Sequence, residues 1–222
     1  MKFLNIIKYF KKYKFSRLVY YKFLHRKNYK NFYNLNLNKN SVVLDFGANI
    51  GDITQCLIDL YDCKIYCFEP NNYAFKVLKQ RFKTNKKVSV FNKAVGKKDC
   101  KDYLYYHHSH DENPVKSSIS SSLFKEKENV DTDKYQLTEI ISINSILKQF
   151  KNIDLIKIDI EGAEYKILPH IIKNKNNIKK VICELHGSPE KKKNKFLNNN
   201  YLKFRKKIKQ IDPNKKWFLY HH

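Results

Sequence analysis

The chain has 222 residues, 42% hydrophobic and 14% aromatic, which suffices for one sizeable core and excludes a chain disordered by composition. Its 45 Lys and Arg against 21 Asp and Glu leave a formal charge of +24, which points to an anionic neighbour such as nucleic acid, lipid or an acidic glycan. No run approaches the roughly 18–20 apolar residues that span a bilayer, and five cysteines without a CxxC pair predict a reduced, cytoplasmic protein without a zinc site.

Residues 1–40 hold eleven Lys and Arg and no acid. Phe3, Ile6, Ile7 and Phe10 recur at helical spacing, so a basic, aromatic helix is predicted over 3–34. It either caps the domain or lies on an anionic membrane surface, and the cap is the expectation. No secretory signal is expected, because the lysines interrupt the apolar run and no small-residue cleavage site follows. Residues 34–40 read as a linker, and 41–222 as the domain proper.

That domain alternates. "SVVLDF" (41–46) is a short apolar run, hence a buried strand. "GANIGDITQCLIDLY" (47–61) is a glycine turn opening a helix. "KIYCFEP" (64–70) is a second strand, stopped by Pro70. A helix over 71–85 follows, with Asn71 or Asn72 as its N-cap. A third strand is expected over 88–96 and an extra one over 102–109. Residues 110–131 read as a polar, serine-rich loop, either a disordered insert or a lid. Then come a strand with the start of a helix (137–147), a strand (153–159), a helix (164–172), a strand (179–187) and an edge strand near the C-terminus. Continuous apolar strands separated by helices predict an α/β domain with a mostly parallel sheet covered on both faces.

In such sheets ligands sit beyond the carboxyl ends of the strands. The first strand delivers Asp45, Gly47, Asn49 and Gly51; the second Glu69; the third Asn92 and Ala94; the later ones Asp159 with Glu161, and Glu184 with His186. The turn "DFGANIGD" is not GxGxxG, since Asn49 and Asp52 stand where glycines are needed, and no GK[ST] follows for a Walker loop. Asp45 repels a phosphate and suits an ammonium or sulfonium. Glu69 is placed to accept hydrogen bonds from a ribose diol. The set fits S-adenosylmethionine.

"VVLDFGANIGDIT", "CFEPNNYAFKVL", "FNKAVGKKD", "IDLIKIDIEGAEYKIL" and "ICELHG" occur in this order. Over roughly 41–187 the chain resembles the FkbM-type methyltransferases. The resemblance implies a Rossmann-like methyltransferase fold and methyl transfer from S-adenosylmethionine to a hydroxyl, often of a sugar or glycoconjugate. It implies that Asp45, Gly47, Asn49, Gly51 and Glu69 hold the cofactor, that Asn92 and Ala94 lie beside the adenine, and that Asp159 and Glu161 border the acceptor. Two features depart from it: "ISINSIL" stands where members often show an Leu-Asp pair, and the basic N-terminal arm is not shared.

O-methylation needs a base for the hydroxyl proton. Asp159 and His186 are the candidates, and Glu164 reads as a helix-end residue. Magnesium on Asp159 and Glu161 is the alternative to a metal-free site. The basic ends invite a second reading, an RNA methyltransferase, but "DIEG" stands where base-methylating enzymes commonly carry [DN]PP[YF]. A third is a non-enzymatic membrane-surface protein. An enzyme acting on lipid-linked glycans at the membrane periphery would join the first and third.

Overall fold

A computed structural model describes residues 29–187, 198–204, 206 and 217–220. Most of the basic helix expected over 3–34 lies outside these residues, as does most of the basic C-terminal end, where Lys and Arg recur from Lys191 to Lys216. No helix among the described residues is long and apolar enough to cross a membrane.

Six parallel strands form the main sheet: β1 (Val42–Phe46), β2 (Lys64–Phe68), β3 (Val88–Phe91), β7 (Leu155–Ile158), β8 (Val181–Glu184) and β9 (Trp217–Tyr220), in spatial order β3-β2-β1-β7-β8-β9. Successive side chains alternate between two cores, as a pleated strand requires. Leu44, Phe46, Ile156 and Ile158 pack beneath helices α4 (Ile143–Leu147) and α5 (Glu164–Lys173). Val43, Ile65, Cys67 and Leu155 pack beneath α1 (Asp52–Tyr61) and α2 (Asn72–Phe82). Covered faces explain why these strands read as unbroken apolar runs.

Phe32 and Leu35 are buried in the second core, and the Tyr61 hydroxyl donates to the Phe32 carbonyl at 2.8 Å. The stretch expected to be a linker is therefore partly packed, because Leu35 points inward from it. Asn71 caps α2, its side-chain oxygen accepting from the N–H groups of Tyr73 and Ala74.

The third strand differs from the expected 88–96. It breaks at Asn92, whose side-chain amide donates to the carbonyls of Glu69 and Pro70. The chain then leaves the main sheet, and β4 (Ala94–Gly96) joins a second sheet with β5 (Cys100–His107) and β6 (Val130–Ser142), in order β4-β6-β5. The strand β6 starts seven residues before the expected 137. The loop expected over 110–131 contains a short helix, α3 (Pro114–Ser117), capped by Asn113, and a 3-10 turn over Ser118–Ser120. These pieces roof the carboxyl ends of β1, β2 and β7.

Candidate active site

A cleft of about 290 Å³ opens at that end of the sheet. Its floor is the turn after β1. Gly47, Asn49 and Gly51 all have positive φ, at 76°, 48° and 88°. Gly47 has a second constraint: a Cβ there would lie 1.8 Å from the Asp159 carbonyl oxygen. The turns after β1 and β7 thus touch backbone to backbone, which only glycine permits.

Glu69, at the end of β2, lines one wall of the cleft. Its two carboxylate oxygens accept from the backbone N–H groups of Asn49 and Asn71, each at 2.8 Å. Burial pushes its carboxyl up to about 7, while those two N–H donors and Lys157 favour the charged form. Phe68, Ile50, Ile53, Val95, Leu104 and Leu123 supply apolar lining.

Asp159 and Glu161 line the opposite wall. The Asp159 side chain is 32% accessible and lines the cleft. Burial raises its pKa and Lys157 opposes that. Glu161 sits at φ 54° and is held between Lys127, in an ion pair, and the His186 Nε2 at 3.1 Å. Burial raises the Glu161 carboxyl, but His186 and Lys127 outweigh it and bring it below the usual range. Glu164 is fully buried. Its oxygens accept from the Gly162 and His186 N–H groups, and Oε1 lies 3.3 Å from His186 Nδ1. Burial opposes charge on His186, but Glu164 and Glu161 raise its pKa well above 6.5. His186 is therefore an imidazolium held between two carboxylates. A ring already protonated at both nitrogens has no lone pair for a substrate proton, whereas the Asp159 carboxyl lines the cleft.

Asp159, Glu184 and His186 offer ligand atoms within 4.8 Å of one another. Both His186 nitrogens already face carboxylates, Nε2 that of Glu161 and Nδ1 that of Glu164. The spacing differs from the expected pair of Asp159 with Glu161.

Of the residues expected to hold a cofactor, Gly47, Asn49, Glu69 and Ala94 line the cleft. Asp45, Gly51 and Asn92 act from behind it. Asp45 is buried, accepting from Thr54 Oγ1 at 2.7 Å and lying 3.3 Å from Lys157 Nζ. Gly51 faces Phe82 and Leu78, each within 2.7 Å of a Cβ placed there. Asn92 braces the Glu69–Pro70 turn.

Sequence reasoning missed the two cations and left the serine-rich segment open between a disordered insert and a lid. Lys157 is buried in β7, and Lys127 reaches in from the loop; a lysine inside an otherwise apolar strand was the available signal for the first. The serine-rich segment is neither disordered nor turned away. Ser118 Oγ accepts from Asn49 Nδ2 at 2.9 Å, Ser121 Oγ accepts from Asn71 Nδ2 at 3.0 Å, and Ser122 Oγ donates to the Glu161 carbonyl at 2.7 Å. These bonds tie the roof to both walls.

The model of the methyltransferase FkbM domain matches residues 45–210. The chain belongs to the FkbM methyltransferase family. Its cofactor is S-adenosylmethionine. The residues of this FkbM-family cleft fit that molecule: a carboxylate with free lone pairs for a ribose diol, an apolar lining for adenine, and acidic groups opposite for a cationic sulfur. No curated relative matches the sequence. Among solved structures, TYW2 of Pyrococcus horikoshii in complex with MeSAdo aligns at 22% identity over 27% of this chain and 24% of that one, with a TM-score of 0.25. The cyclopropane synthase MmaA2 of Mycobacterium tuberculosis aligns at 18% over 31% and 25%, TM-score 0.28. A proposed RNA methyltransferase of Pyrococcus horikoshii aligns at 14% over 75% and 55%, TM-score 0.33. The chain thus covers between 24% and 55% of the length of these structures.

Proposed function

We propose that the protein is an S-adenosylmethionine-dependent O-methyltransferase whose acceptor is a hydroxyl of a sugar in a glycan or glycoconjugate. The observation that carries this reading is one cleft with Glu69 on one wall and Asp159 on the other. S-adenosylmethionine supplies an electrophilic methyl group on a positively charged sulfur. Glu69 accepts hydrogen bonds from the ribose diol, held in place by the Asn49 and Asn71 N–H groups. Asp159 takes the proton from the acceptor hydroxyl as its oxygen becomes the nucleophile. Glu161, paired with Lys127 and His186, is fixed in place and borders the acceptor. The roof of Ser118, Ser121 and Ser122 keeps bulk water from the reacting oxygen, and alignment of the reacting atoms supplies much of the rate.

A hydroxyl is favoured over a nucleobase by the strand end itself. Asp159-Ile160-Glu161-Gly162 offers a carboxylate base and no proline-rich grip for a flipped base. The test is transfer of a radiolabelled methyl group. Label is expected in base-stable ethers on lipid-linked or free oligosaccharide acceptors, and it should vanish in Asp159→Asn. Label in RNA nucleobases, with none in any oligosaccharide, would overturn the assignment.

A further inference from the structure

Lys157 is the one basic residue within β7, whose four residues are all buried. Its Nζ donates to the Gly47 carbonyl at 2.6 Å and lies 3.3 Å from Asp45 Oδ1 and 3.8 Å from Asp159 Oδ2. Asp45 is in turn pinned by the Thr54 hydroxyl. The parallel register sets Asp45 beside Lys157 across β1 and β7, and the two-residue period of a strand puts Lys157 and Asp159 on the same face. Burying an ion pair in place of apolar side chains adds little or nothing to stability, so stability alone gives no reason for this lysine. Its position does. It is held on its buried side by Gly47 and Asp45 and turns the remainder of its charge towards Asp159 at the cleft wall.

We propose that Lys157 is a positioning residue that clamps the cofactor turn to the β7 end and keeps the Asp159 carboxylate charged and aimed into the cleft. This rests on Asp159 being the base of the reaction proposed above. The other charged groups around Asp159 do not do the same task. Glu161, Glu164 and Glu184 carry carboxyl groups, which supply no positive charge, and His186 is engaged by Glu161 and Glu164. Lys127 is engaged by Glu161. Asp45 and Glu69 face Lys157 from β1 and the end of β2.

Removing Lys157 alone would strand Asp45 without its cation, so the comparison is made in D45N, which also removes that buried charge. Asp159 is read directly, by carbon-13 titration of aspartate carboxyls, with its resonance identified by its loss in D159N. The titration midpoint of Asp159 is expected to rise by about one pH unit or more from D45N to D45N/K157M, the scale of a unit charge withdrawn at this distance in a partly solvated site. K157R in the same background is expected to restore most of that shift. The acidic limb of the kcat profile, read at saturating S-adenosylmethionine, should move up with the NMR midpoint, and affinity for S-adenosylhomocysteine should fall as the Gly47 turn loses its clamp. A midpoint equal in D45N and D45N/K157M would overturn the proposal. Failure of the methyltransferase reading would show separately, as wild type that transfers no methyl group, and would leave the carboxyl titration readable.

Discussion

Replacing Glu69 by Gln separates the charge of the group proposed to bind the ribose from its shape. Burial raises the Glu69 carboxyl to about 7, so a large fraction is protonated near neutrality. A protonated carboxyl has lost acceptor capacity for a diol. If only the carboxylate binds well, the fraction competent is about one half at pH 7 and about one eleventh at pH 6. S-adenosylhomocysteine should therefore bind about tenfold more weakly at pH 6 than at pH 8. The Gln variant should bind with no such pH dependence and, at pH 8, more weakly than wild type by about 1.5–3 kcal/mol for the charge-assisted hydrogen bonds weakened. Stability carries the opposite sign. A carboxyl raised from 4.5 to about 7 stabilises the fold most below pH 4.5 and loses that contribution as pH rises through 7. The loss is about 3 kcal/mol, an upper figure for a fully buried group. Calorimetric titration from pH 6 to 8 reads the binding, and urea melts from about pH 4 to 8, which span the whole window between the two pKa values, read the stability. Equal pH dependence of binding in wild type and Glu69→Gln would refute the argument, because the titrating group would then lie elsewhere.

Gly47→Ala places a Cβ against the Asp159 carbonyl, so it should unseat the two turns, lower the melting temperature sharply and abolish S-adenosylhomocysteine binding; unaltered binding would contradict the close approach. Asn71→Ala removes the cap of α2 and the bond to Ser121, and urea melts should show a loss of about 1–2 kcal/mol. His186 has a raised pKa, so its ion pairs stabilise fully below about 6.5 and fade as pH rises through the higher folded value. Wild type should accordingly lose stability on the alkaline side, and His186→Gln should flatten that part of the curve. A Ser118→Ala and Ser121→Ala double variant should speed proteolysis within 110–129 in the absence of ligand, with S-adenosylhomocysteine restoring protection.

Much of the parallel sheet was legible because its signals are local. Short apolar runs, a glycine turn and an asparagine cap each sit within a few residues. The acids at the strand ends could be placed by topology alone. The break at Asn92 was not legible, since its cause is two carbonyls more than twenty residues earlier. The early start of β6 was hidden by polar side chains on a half-exposed strand, where the period-2 pattern is weak. The roof reads as a polar loop because its serines are satisfied by Asn49, Asn71 and Glu161, partners 39 to 69 residues away. His186 looked like a base because sequence cannot show Glu161 and Glu164 on either side of one ring. Lys157 was visible as an oddity in a strand, but its role needed Gly47 and Asp45 alongside it.

The most direct test of the site is a crystal structure of the protein with S-adenosylhomocysteine. The ribose hydroxyls are predicted on the Glu69 carboxylate, with the sulfur facing the Asp159 wall of the cleft. A molecule bound with its ribose away from Glu69, or seated anywhere outside this cleft, would contradict the account.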